Sequence, residues 1–119
     1  MKYFSIYLPD PKTNLGPQTD AQRQVMQAFM QDAMARGEFV GGGGFLSLAK
    51  NGAVLRREHG ETRVIDGPYV ETKELVGGFA MLEYASREAA IDGARRFLDA
   101  AGDGETVTYQ IMDGPHPDA

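Results

Sequence analysis

Two helical runs with apolar stripes, each set between β-prone segments, constrain this chain most, because a helix with one apolar stripe needs another layer to bury it against. The first is Asp20 to Arg36, where Val25, Met26, Phe29, Met30, Ala33 and Met34 recur at helical spacing. Thr19 and Gln22 have capping-box spacing at its start, and Gly37 suits the left-handed position beyond its end. The second follows Ser86, a good N-cap, and carries Ala90, Ile91, Ala94, Phe97 and Leu98 up to Gly102. The methionine stripe of the first helix reads as core; the alternative is a methionine-lined groove for a cofactor or partner.

The β-prone runs fall around these helices. Lys2 to Leu8 places Tyr3, Ser5 and Tyr7 on one side and Phe4, Ile6 and Leu8 on the other, a central strand covered on both faces and ended by Pro9. Glu38 to Gly44 starts as a strand and runs into four consecutive glycines. These mark a kink or bulge, or else they make room for a small ligand; Phe45, Leu46 and Ser47 do not supply the Gly-Lys-Ser/Thr of a phosphate loop. Asn51-Gly52 is a turn, Ala53 to Arg57 and Thr62 to Ile65 form a hairpin, and Val76 to Tyr84 and Thr106 to Met112 are the last strands. The order β, α, β, hairpin, β, α, β predicts an α+β ferredoxin-like split β-α-β sandwich with a hairpin insertion, both helices on one sheet face. The opposite face keeps apolar residues in alternation, and a second copy of the chain is the cover expected by symmetry, giving a homodimer.

At 119 residues the chain is expected to be one domain, residues 1–112, with a flexible C-terminal tail at 113–119 that holds Pro115 and Pro117. There is no cysteine, which removes disulfides and thiolate nucleophiles and fits a cytoplasmic location. No run resembles a signal peptide or is long enough to span a bilayer, so no membrane role is expected. A formal net charge of −5 opposes a phosphate backbone, so nucleic acid is not an expected partner.

The stretch DGPYVETKELVGGF, Asp66 to Phe79, carries the densest chemistry. Asp66 before Gly67-Pro68 reads as a turn residue, although Pro68 lacks the amide that an Asx-turn would use. It reads equally as a catalytic acid or base held at a pocket mouth, with Glu71, Lys73 and Glu74 able to shift its pKa or bind an ionic substrate. Those three are otherwise a solvated loop, and Tyr69 is otherwise a packed ring. If the second and fourth principal strands are neighbours, the glycines at 41–44 and 77–78 border one depression. The candidate ligand-binding set is then Tyr7 (or Tyr3), Gly42, Gly43, Tyr69, Glu71, Lys73 and Phe79, around Asp66, and the ligand a small organic molecule. His59, at a hairpin tip, and His116, in the tail, read as solvated. No convergent ligand set suggests a metal or other cofactor, and no serine has a histidine partner.

The same stretch resembles the YCII-related family in its DGPF branch, where DGPFAETKE is followed by GGF; here DGPYVETKE precedes Gly77, Gly78 and Phe79. The resemblance implies a dimeric α/β-barrel assembly. It also implies association with extracytoplasmic-function sigma factors, so the alternative function is a non-enzymatic regulatory module with a sigma-factor partner. Members outside the branch pair a first-helix histidine with an aspartate; Asp20 to Arg36 contains no histidine, so that dyad is not carried over. Tyr69 and Val70 stand where phenylalanine and alanine are usual.

Overall fold

A computed structural model describes residues 1–14, 16–46, 48–65 and 76–114. Asp66, Tyr69, Glu71, Lys73, Glu74 and His116 lie outside the described residues.

Strands β1 (Lys2–Pro9), β2 (Phe39–Gly43), β5 (Gly78–Glu83) and β6 (Gly104–Gln110) form one antiparallel sheet in the order β2-β5-β1-β6. β1 is central, as its two-sided apolar pattern predicts. Helices α1 (Asp20–Ala35) and α3 (Arg87–Ala101) are the crossovers, and α2 (Leu48–Asn51) is a single turn closed by Gly52 N–H donating to the Leu48 carbonyl at 3.0 Å. This is the expected ferredoxin-like sandwich.

Local chemistry sets the boundaries. Gln22 N–H donates to Thr19 Oγ1 at 3.1 Å while Thr19 N–H donates to Gln22 Oε1 at 2.7 Å, the reciprocal capping box. Gly37 ends α1 at φ 72°. Ser86 Oγ accepts from the Ala89 amide at 3.1 Å to start α3.

The glycine run holds a bulge: the register of β2 against β5 shifts between Phe39 and Gly41. Only Gly42 is forced there. A Cβ on it would strike the Phe79 carbonyl and come within 2.9 Å of the Ala80 Cα, whereas one on Gly41 or Gly43 would meet nothing.

One expectation is overturned. The dimeric α/β-barrel reading requires a sheet that closes, and no closure is present among the described residues. The principal sheet stays open, with β2 and β6 on opposite edges and two strands between them. The hairpin strands β3 (Val54–Glu58) and β4 (Glu61–Ile65) do not extend it; they pair with each other as a separate two-stranded sheet. Their tight turn at His59-Gly60, with φ of 52° and 80°, satisfies the hairpin locally.

The buried core sits at one end of the sandwich, where Tyr3, Tyr84 and Ala90 pack with Leu82 and Ala89. Tyr3 and Tyr84 meet edge to face at 6.0 Å. Arg96 on α3 pairs with Glu38 before β2 at 3.2 Å, tying the helix to the sheet edge. Tyr84, Leu82 and Ala90 also border an open space that runs between the helices and the sheet.

Candidate functional site

The separation follows from residue size. On the helix-facing side of the sheet, Ser5, Gly78 and Ala80 are small, and α3 presents Gly93, Ala94 and Ala100 above them. Three rings prop the layers apart: Tyr7 and Phe97 meet at 5.1 Å, and Phe97 and Phe29 at 5.8 Å. A cavity of about 490 Å³ results, between α1, α3 and the sheet. Its floor carries the hydroxyls of Ser5, Tyr7, Thr106 and Thr108; its roof is Met26, Phe29, Met30 and Phe97.

The methionine stripe therefore does not fill a close-packed core. Met26 and Met30 line the cavity, Val25 and Met34 are about half exposed, and among the described α1 residues Ala33 is the buried one. Period and polarity are the same for a helix that touches a sheet and one held a ring's width above it.

A latch of polar groups closes one end. Asn14 Nδ2 donates to Tyr7 Oη at 2.9 Å and also lies within reach of the Ala101 and Asp103 carbonyls, at 3.1 and 3.0 Å. Tyr7 Oη in turn has the Gly102 and Asp103 carbonyls at 3.0 Å. Asp103 also accepts from Thr13 Oγ1 at 2.9 Å, and its carbonyl from the Asp10 amide at 3.0 Å. The loop after β1 is thereby pinned to the C-terminal end of α3.

Tyr7 and Tyr84 both titrate above the usual tyrosine value. For Tyr7 burial dominates, the Asn14 hydrogen bond opposes it and the Asp103 carboxylate adds to it. For Tyr84 burial is again largest, Glu38 raises it further and Arg96 opposes. Both phenols are neutral at physiological pH.

Of the residues singled out from the sequence, Tyr7, Gly43 and Phe79 line this cavity, with Gly77 and Gly78 beside them. Pairing of β2 with β5 brings the two glycine runs together, Gly43 opposite Phe79 and Gly42 opposite Ala80. Gly42 serves that backbone approach. The alternative Tyr3 is 4% exposed and packs in the core. Phe79 borders the cavity, while its ring sits against Phe4 at 6.2 Å and Phe45 at 5.2 Å.

Sequence reasoning missed Ser5, Asn14, Thr106 and Thr108. The one signal available was a serine alone between tyrosines on the inner row of the central strand.

No lining residue among those described is an aspartate, glutamate, lysine, arginine or histidine. Nor, among the described residues, do three or more potential metal ligands converge. No helix there is long and apolar enough to cross a membrane.

Comparison with known proteins bears on the fold and the lineage. The YCII-related domain matches residues 1–113. Over 59 residues, 50% of this chain, the sequence is 42% identical to an uncharacterized protein of Rhizobium meliloti (strain 1021). The match covers 46% of that protein, so the chain spans about half the length of the curated relative it matches. The solved structure of 5-chloro-2-hydroxyhydroquinone dehydrochlorinase from Burkholderia phenoliruptrix AC1100, in complex with 2,5-dihydroxybenzoquinone, shares the fold at a TM-score of 0.53. That likeness covers 96% of each chain at 14% sequence identity.

Proposed function

The chain belongs to the YCII-related domain family, and from that premise we propose that its cavity binds a small, uncharged, ring-bearing organic molecule. The observation that carries this reading is the lining: hydroxyls, amides, aromatic rings and methionines, with no charged side chain among the described residues. A carboxylate or phosphate moved into such a space would lose its hydration without gaining an ionic partner among the described residues, whereas a neutral ring buries apolar area and keeps a few hydrogen bonds. The volume of about 490 Å³ falls within the usual range for such sites. The dehydrochlorinase of like fold, named for an oxygen-bearing ring compound and solved with another, is in keeping with the ring-bearing, oxygenated part of this class.

Within this proposal the protein belongs to the DGPF branch and is cytoplasmic. Asp66 is the proposed acid or base, on the sequence argument that Pro68 denies it the ordinary turn bond.

Amide-resolved NMR titration with neutral phenols and lactones, beside their carboxylate counterparts, tests the site. The neutral set should shift Ser5, Tyr7, Phe97 and the Met26 and Met30 methyls, and the carboxylates should leave them in place. Shifts from carboxylates alone, or a silent cavity, would refute the reading and send attention to a protein partner.

A second copy of the chain is the proposed cover for the outer sheet face. Phe4, Phe79 and Phe45 cluster there, and Phe45 and Tyr109 are 58% and 59% exposed. Sedimentation of the whole sample at the mass of one chain would remove this proposal.

A further inference from the structure

Resting on the cavity being a ligand site, we infer that the Ser5–Thr108 hydroxyl pair is its specificity-determining anchor, selecting ligands whose ring carries a hydroxyl or carbonyl oxygen. Ser5 on β1 stands opposite Thr108 on β6, and their oxygens are 3.0 Å apart. Ser5 is 8% exposed and lies beneath the cavity, with Ala80 as its partner on the other side.

Two hydroxyls hold two donor hydrogens and four lone pairs, and one bond between them consumes one of each. Either oxygen serves as the donor in this pair. Whichever way the bond runs, one O–H and three lone pairs remain, and the pair reverses direction at little cost. It therefore serves a phenolic O–H, which needs an acceptor, as well as a quinone or lactone carbonyl, which needs a donor.

A structural role alone explains this arrangement less well. Cross-strand hydroxyl pairs contribute modestly to a sheet, and an alanine–valine pair would fill the same floor without placing the buried Ser5 hydroxyl beneath it. Thr106 extends the polar row along β6 toward Tyr7, its partner in the strand register. The roof opposite is apolar. A flat ring lying between them would place its oxygen on the floor and its faces on Met26, Met30 and Phe97.

The test compares phenol with toluene, which differ by a hydroxyl in place of a methyl, by NMR titration of wild type, Thr108→Val and Ser5→Ala/Thr108→Val. Thr108→Val keeps the β-branched shape on an exposed edge-strand residue, so a folded variant is secured even where the double substitution fails. The expected result is about a tenfold weaker phenol affinity in the double variant, with a smaller loss in Thr108→Val and toluene affinity unchanged or improved. Equal changes for both probes, or none for phenol, would overturn the anchor while leaving the cavity as a binding site. Wild-type protein in which neither probe shifts cavity resonances would overturn the anchor together with the reading beneath it.

Discussion

Gly42→Ala is expected to lower stability by about 3 kcal/mol or more, while Gly41→Ala and Gly43→Ala each change it by less than about 1 kcal/mol. The four glycines are indistinguishable as sequence, yet their surroundings differ. At Gly42 the added methyl would meet main-chain atoms, the Phe79 carbonyl and the Ala80 Cα, which no rotamer change can move. Its φ of 157° adds a conformation that side-chain-bearing residues avoid. Relief would require β2 to leave β5, so the loss is a strand pairing rather than one contact. Denaturant unfolding of the three variants side by side measures the difference; equal midpoints would show that the bulge relaxes freely.

Gly93→Ala carries the second large effect. On an exposed helix surface this change stabilises by about 1 kcal/mol. Here Gly93 is buried, and the new methyl would overlap the Tyr84 ring, coming within 2.8 Å of its Cε1 and closer still to its hydroxyl. Tyr84 is 7% exposed and held edge to face by Tyr3, and although it borders the cavity, swinging into that space would give up this contact. A net loss of about 2–3 kcal/mol is expected, or a fall of roughly 10 °C or more in thermal midpoint for a domain of this size. The two positions should be strongly coupled: on a Tyr84→Leu background, itself destabilised, Gly93→Ala should cost less than about 1 kcal/mol. Additive losses would mean that the methyl is resisted by something other than the ring.

These two glycines show where sequence reasoning reaches and where it stops. Capping residues speak through neighbours three positions away, so Thr19 with Gln22, and Ser86, were legible, and the helices with them. The alternation along Lys2 to Leu8 marked a central strand, and the element order gave the sandwich. What went unread depends on distance through space. Ser5 and Thr108 are 103 positions apart and meet only through strand register. Asn14 gains its role from the carbonyls at the far end of α3. The methionine stripe reads as core although Met26 and Met30 border a cavity, because periodicity gives the face of a helix but not its height above the sheet. The barrel expectation came from resemblance, and the open sheet with its separate hairpin corrects it.

The central position of β1 has a consequence for how the chain comes off the ribosome. β1 is bonded on both sides by strands made well after it, β5 from Gly78 and β6 from Gly104. The strands made in between, β2 and the β3–β4 hairpin, do not bond to it. β1 must therefore wait, two-faced and without its sheet partners, until β6 has emerged. Vectorial synthesis gives this fold no early nucleus on its central strand, and that segment is exposed to self-association until β6 has left the ribosome.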